Sequence, residues 1–592
     1  MNILGIHEGH NASIALFRDH GIVYAVSEER LTRKKNEGGF PLSSIKRMFA
    51  DTGISPAELD AVALCGRRAV QPKWAHKELI LERYRHYCSF RPGLINRVKG
   101  EVAKRLPHSH ADRIRRILRF KSVDSLDRLE QQRTVPLQGL SVPEDRILRI
   151  EHHECHASAA YYGLGHFDVP VLVISCDGGG DGLCATVSIG EDGRLRRIGT
   201  IPHEDSIAKL YALITYVMGF VPLEHEYKLM GMSPYASTER AERLCRWIED
   251  RFLWVDGEIP KWKRRKGLPP TSYWYEDLEK RIRFERFDVI AAGFQRFIES
   301  MMERWVRACI ERTGIPRLAL SGGIFMNVKM NKILMELPEL ESIFIHPSCG
   351  DETNPFGACY AAAVRLGVRK EALRPVEHLY LGPNYDESDY REALEALAEH
   401  PGIAVDIPES QEARVVELLA EGRIVARYAG REEFGARALG NRSILADPSR
   451  LDVIAEINRM IKNRDFWMPF AGAMIEEDAR ENLSNPKGVP APYMIITFDA
   501  ETRIDEFKAA THPYDQTIRP QVVERDWNPA FHRILAEFRR ITGKRGGLLN
   551  TSFNLHGHPI VSSPADAVDV FLRSGLKHLA LGPYLLNKQD EG

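Results

Sequence analysis

Apolar residues alternate with polar ones through 3–6, 12–17 and 21–27, with a turn at 9–11, and the pattern predicts three short strands in a meander. The same order returns at 169–175, 184–189 and 195–201, where the first turn is the Gly-rich run 177–182. A further strand is expected over 317–320, ahead of Ser321-Gly322-Gly323, and another over 342–345, ahead of Gly350-Asp351. Helical spacing is read over 151–162. After the Pro-bearing stretch 367–389 the pattern restarts with a strand at 403–405, a helix at 411–420 and a strand at 424–428.

A meander that repeats predicts an α/β fold with a duplicated domain whose halves each present a glycine hairpin to a central cleft, the layout of the actin-like ATPases. The chain of 592 residues exceeds what one core supports. Two domains are therefore expected, over 1–370 and 385–592. Between the first meander and residue 151, a basic helical insertion over 67–135 carries Trp74, Tyr84, Tyr87, Phe90 and Phe120 among its Arg and Lys. That stretch reads as a solvated helix face, or as a wall of an acceptor pocket.

Composition is that of a water-soluble globular protein, 44% hydrophobic and 28% charged. A net charge of −1 argues against a chain devoted to nucleic acid. The N-terminus lacks a signal-peptide pattern, and no apolar run is long enough to span a bilayer, so a cytoplasmic location without membrane partners is expected. Nine scattered cysteines read as reduced thiols. A homodimer is the default oligomer.

The candidate chemistry begins at Glu151-His152-His153-Glu154-Cys155-His156. On a helix, His152 and His156 stand one turn apart on one face, within reach of a shared metal ion. Asp177 and Asp351, each at the end of an apolar strand, can add carboxylates, and two imidazoles with two carboxylates suit a divalent iron, manganese or zinc ion. His pairs at this spacing also occur on helices that bind nothing. His153 is expected to face elsewhere, and Cys155 to fill core. Gly322 and Gly323 would let backbone approach a nucleotide closely. Farther on, Arg431, Arg437 and Arg442 share one Gly-interrupted segment, Lys462 and Arg519 follow, and Asn550, Ser552 and Asn554 supply small hydrogen-bonding groups after an apolar strand. The set reads either as a phosphate-ester pocket or as surface ion pairs.

Taken in order, the segments 9–13 (Gly-His-Asn-Ala-Ser), 152–156, 177–178, 226–232 (Glu-Tyr-Lys-Leu-Met-Gly-Met), 321–323, 350–351, 435–443 and 550–554 resemble the O-carbamoyltransferases of the nodulation-factor and antibiotic type, over nearly the whole chain. The resemblance implies a first domain similar to tRNA-threonylcarbamoyl transferases and a second, YrdC-like domain. The second would condense carbamoyl phosphate with ATP, carried as its Mg²⁺ complex, into carbamoyl-adenylate. The first would pass the carbamoyl group to a hydroxyl of a small secondary metabolite. It implies iron(II) on His152, His156, Asp177 and Asp351, with His10 beside the acceptor hydroxyl. Lys228, Gly322, Gly323 and Asn327 would face the nucleotide, and Arg437, Arg442, Lys462, Arg519, Asn550, Ser552 and Asn554 the carbamoyl phosphate and ATP. Met468 departs from the pattern, standing where many relatives carry an Arg six residues after the pocket Lys, and Ala436 stands in place of a usual Pro. Other readings are transfer to tRNA or protein, or a nucleotide-binding regulator without turnover.

Overall fold

The computed structural model describes residues 1–69, 77–89, 133, 136–140 and 142–589. Most of the basic insertion, including Trp74, Phe90 and Phe120, lies outside the described residues. The first sheet is the expected meander β1 (Ile3–His7), β2 (Ser13–Arg18) and β3 (Gly21–Ser27), continued by β4 (Ala61–Cys65) and β5 (Ile147–Ile150) in the order β3-β2-β1-β4-β5. The meander pairs are antiparallel, whereas β4 runs parallel to both β1 and β5.

A second meander, β6 (Val171–Gly180), β7 (Leu183–Glu191) and β8 (Arg194–Pro202), precedes a small ribbon of β9 (Phe252–Val255) and β10 (Lys261–Arg264). The sheet is completed by β11 (Arg317–Ser321) and β12 (Ser342–Ile345) in the order β8-β7-β6-β11-β12. Strand order and strand sense repeat those of the first sheet. One boundary differs from expectation. Residues 177–180, expected as a turn, belong to β6, where the pairing slips from Cys176–Ala185 to Gly180–Leu183. The glycines let the strand bulge by the intervening residues, so the reversal itself needs only 181–182.

Helices His152–Leu164 and Asn354–Arg365 pack on each other beside the two sheets. Their crossing depends on Gly357, where any Cβ would stand 1.7 Å from the Cys155 carbonyl oxygen. Both helices are buried through most of their length, which explains their lack of a polar stripe.

The C-terminal part builds an eight-stranded mixed sheet from β13 (Ile403–Asp406), β14 (Val425–Tyr428), β15 (Arg442–Ala446), β16 (Ala471–Met474), β19 (Pro520–Val522), β20 (Leu548–Ser552), β21 (His578–Leu581) and β22 (Tyr584–Lys588), with a side ribbon of β17 (Phe498–Asp499) and β18 (Thr517–Ile518). Its order is β13-β22-β21-β14-β15-β20-β16-β19. This part is clamped to the rest by buried polar contacts. Arg30 pairs with Glu432 at 3.6 Å, both side chains 2% exposed, and donates to the Gly435 carbonyl at 2.8 Å. Arg431 donates to the carbonyls of Leu381 and Val23, at 2.7 and 3.1 Å. Among the described residues no helix is long and apolar enough to cross a membrane.

Candidate functional site

Glu151 caps the helix His152–Leu164, accepting the N–H groups of His153 and Glu154 at 3.0 and 2.9 Å, and pairs with Arg197. A carboxylate at the positive helix end fixes the first turn against the end of β6. His152 and His156 then face the same way, their ring centroids 4.9 Å apart. Asp177 enters from β6 and Asp351 from the loop after β12. His156 Nε2 lies 3.4 Å from Asp177 Oδ2 and 3.3 Å from Asp351 Oδ1; His152 Nε2 contacts Asp177 closely and lies 3.7 Å from Asp351 Oδ1.

One ligand atom from each of the four residues lies within 4.8 Å of every other. Donors about 2.1 Å from a shared ion stand up to about 4.2 Å apart, so a contraction of a few tenths of an ångström would seat one. His156 Nε2 and Asp177 Oδ1 are buried with no hydrogen-bond partner among the described residues, a need that a bound cation would satisfy. The Ser321 hydroxyl, 3.1 Å from His156 Nδ1, orients that ring with Nε2 inward.

Burial disfavours charge on His152 and His156, yet the facing carboxylates more than reverse it, raising the His152 pKa to about 10 and also raising that of His156. Burial likewise opposes ionisation of Asp177 and Asp351, but the imidazoles hold both well below the usual carboxylate range.

His153 does not face elsewhere. Its Nε2 is 3.4 Å from Asp177 Oδ1, and its Nδ1 is 2.9 Å from Ser175 Oγ. At the second helical position it is turned toward β6 rather than away, because the helix starts against the end of that strand. Burial lowers its pKa to about 4, so the ring is neutral. Three histidines within five residues at a helix start were the signal that could have found it.

His10 lies on the turn between β1 and β2, where Asn11 adopts φ +58°. Its Nε2 is 3.2 Å from the Leu223 carbonyl oxygen, an acceptor only, so Nε2 carries the proton and Nδ1 keeps the lone pair. Nδ1 has no hydrogen-bond partner among the described residues, and burial pushes the pKa down, leaving a neutral ring. Sequence reasoning overlooked His7. It sits one turn earlier with Nε2 3.1 Å from the His10 carbonyl oxygen, and its place at the end of β1 was the available signal.

Gly322 adopts φ +117°, and a Cβ there would stand 2.2 Å from the Cys176 carbonyl oxygen, while Gly323 faces open space. The Asn327 side chain is used structurally. It caps the helix Val328–Met335 through Met330 N–H and exchanges hydrogen bonds with Gln295, so it is turned away from a nucleotide-facing role. Lys228 pairs with Asp465 of the C-terminal part at 2.9 Å.

In that part, Arg437, Lys462, Arg464 and Arg519 crowd together. Burial lowers the pKa of each; Arg437 depresses Arg464 further, Arg464 depresses Lys462, and Arg437 and Arg464 both depress Arg519. None is in an ion pair with a described residue. Lys462 reaches Asn554 Oδ1 at 2.7 Å and Ser552 Oγ at 3.1 Å, and Arg464 reaches Thr551 Oγ1 at 3.1 Å. Asn550 donates to the Gln521 side chain at 2.9 Å and keeps a buried, unpaired Oδ1. Cations gathered without a counter-charge fit a phosphate-bearing ligand.

Arg442 does not join them. Its guanidinium stacks 3.7 Å over Tyr428 and donates to the carbonyls of Ala429 and Gly430, bracing the preceding loop. Arg464 stands in the cluster instead. Met468 lies against the helix Glu226–Met232, its sulfur 3.3 Å from where a Gly231 Cβ would be. The segment bearing Arg437 packs against the loop bearing Asp351: a Cβ on Gly435 would stand 2.7 Å from Ser348 Oγ, and that hydroxyl donates to the Glu352 carboxylate.

The carbamoyltransferase N-terminus description matches residues 2–360 and the carbamoyltransferase C-terminus description matches 416–588. The chain belongs to the carbamoyltransferase family and is a transferase. Nodulation protein NolNO of Sinorhizobium fredii is 29% identical, across 98% of this chain and 79% of its own. Nodulation protein NolO of Bradyrhizobium diazoefficiens is 31% identical, across 74% of this chain and 79% of its own. Among solved structures, full-length HypF is 13% identical with a TM-score of 0.37, covering 62% of this chain and 47% of that one, a likeness too loose to carry functional weight.

Proposed function

We propose that this carbamoyltransferase works in two stages, with domains over 1–370 and 385–592 whose folds are a duplicated actin-like unit and a YrdC-like unit. In the second unit, water takes the phosphoryl group from carbamoyl phosphate and releases phosphate, and the carbamate oxygen then bonds to the α-phosphorus of Mg²⁺-bound ATP as pyrophosphate leaves, giving carbamoyl-adenylate. In the first, the carbamoyl group passes to a hydroxyl of a small natural-product acceptor and AMP leaves. The observation that carries this reading is the pairing of two unlike sites, a histidine–carboxylate quartet and a set of cations without counter-charge, on segments that pack against each other.

Arg437, Lys462, Arg464 and Arg519 neutralise phosphate oxygens, while Asn554 and Ser552 hold the Lys462 ammonium in place. His152, His156, Asp177 and Asp351 would hold a divalent ion, iron(II) by family resemblance and manganese or zinc by the same donor set. Such an ion would polarise the donor carbonyl and steady the charge that develops on it. His10, with its Nδ1 lone pair unengaged, takes the proton from the acceptor hydroxyl as its oxygen bonds to the carbamoyl carbon. The close approach of Gly322 to Cys176 leaves Gly323 on open space, where a nucleotide can meet backbone.

The test separates the stages. His152→Ala or Asp351→Ala should abolish carbamate formation, while pyrophosphate release from ATP and carbamoyl phosphate with Mg²⁺ continues. Equal loss of both would refute the division of labour, and a wild-type chain that releases no pyrophosphate would refute the first stage.

A further inference from the structure

Lys209 is a cation the two sites leave unused. It stands in the first turn of the helix Ile207–Val217, half-buried, and its ammonium makes no hydrogen bond or ion pair with a described residue. One hydroxyl fixes its position relative to the quartet: Ser206 Oγ donates to the Asp177 carbonyl at 3.1 Å and accepts the Lys209 N–H at 3.1 Å. The residue that supplies a carboxylate to the quartet and the residue that supplies this ammonium are therefore tied through a single side chain. Lys209 Nζ reaches the glycine bulge of β6, 3.4 Å from where a Cβ on Gly179 would stand. Gly179 itself is exposed, at φ +130°.

Charge makes this position unusual. Asp177 and Asp351 would already balance a divalent ion, so an anion brought against the ion needs another positive partner. Lys209 supplies one, with Arg83 of the helix Lys77–Ser89 near enough to act on it electrostatically. Of the groups that favour its charge, the buried Cys184 thiol is neutral, and Asp177 and Glu204 lie beyond ion-pair distance. Burial lowers the Lys209 pKa, as for an ammonium awaiting a counter-ion.

We propose that Lys209 is a phosphate-binding residue of the transfer site, seating the phosphate of the adenylated donor against the backbone of Gly178 and Gly179 on the Asp177 flank. The proposal rests on the two-stage reading above and adds the side from which the donor enters. An ammonium is suited to this role as a compact point charge, and the absence of side chains at the bulge lets phosphate oxygens reach backbone.

The experiment uses the full chain loaded with Mn²⁺, with Lys462→Met in every sample to silence the second nucleotide pocket. AMP and adenosine are titrated calorimetrically into this background and into its Lys209→Gln and Lys209→Arg versions. Lys209→Gln should weaken AMP about tenfold and leave adenosine unchanged, while Lys209→Arg should stay within about threefold of the parent. Equal AMP affinity in the parent and Lys209→Gln overturns the proposal, as does an equal loss for adenosine. Mn²⁺ binding is measured in the same samples. A chain with Lys209 intact that binds no Mn²⁺ overturns the metal reading and this proposal together, whereas retained Mn²⁺ with AMP indifferent to Lys209 overturns only the latter.

Discussion

Metal binding to the quartet should expel a proton, and the structure sets how strongly affinity depends on pH. Without an ion, Asp177 and Asp351 overcome the effect of burial and hold the His152 imidazole protonated with a pKa of about 10. Ligation needs the lone pair on Nε2, so at neutral pH that proton must leave. Apparent affinity should therefore rise about tenfold, or about 1.4 kcal/mol, for each pH unit between 6.5 and 9. His156, whose pKa is also raised, can only steepen the slope. His153 and His7, both lowered to about 4, contribute no proton.

The sign for stability runs the other way. A folded-state pKa above the ordinary value of about 6.5 means that the metal-free chain has the full benefit of the His152–Asp177 pair below pH 6.5, and loses it as pH rises toward 10. The metal-loaded chain should be protected from that decline. Titrating Mn²⁺ calorimetrically at pH 7.5 in two buffers of different ionisation enthalpy counts the protons, and at least one per ion is expected. Stoichiometric binding with the same heat in both buffers would show that none is released, and the reasoning about His152 would fail.

Two other substitutions probe the surroundings. Met468→Arg should raise pyrophosphate release by less than about twofold, because Arg464 already stands in the cationic pocket and Met468 packs against Gly231; an increase of tenfold would show instead that the pocket lacks a cation. Arg133→Met should cost about 3–5 kcal/mol of stability, because Arg133 and Glu8, 1% and 8% exposed, are paired at 2.9 Å and the substitution leaves a buried carboxylate. Since Glu8 lies between His7 and His10, carbamoyl transfer should fall more than pyrophosphate release, and adding Glu8→Gln should recover part of the thermal midpoint; a midpoint unchanged in the single variant would contradict the pairing.

Strand and helix identity were legible because burial imprints its period locally. The meanders at the start of each half, the helix bearing His152 and His156, and the helix Gln411–Ala420 follow from alternation and spacing alone. The residue types of both candidate sites were legible as well, but not their use, since His pairs at this spacing also occur on helices that bind nothing and an Arg-rich segment can equally form surface ion pairs. Side-chain direction was not legible. His153 faces Asp177 because its helix abuts β6, and Arg442 braces a loop because Tyr428 and two carbonyls claim its guanidinium. Asn327 is committed to a cap and to Gln295, a partner 32 positions away in sequence.

The sequence by itself determined the local elements and the inventory of candidate ligating and anion-binding groups, because these depend on near neighbours and on residue chemistry. Only the tertiary structure decided which of those groups meet. Asp177 and Asp351 are separated by most of a sheet's worth of chain, and the clustered cations of the C-terminal part come from three segments. The two aspartates meet because β6 and β12 flank β11 and run parallel to it, a long-range pairing that no local period encodes.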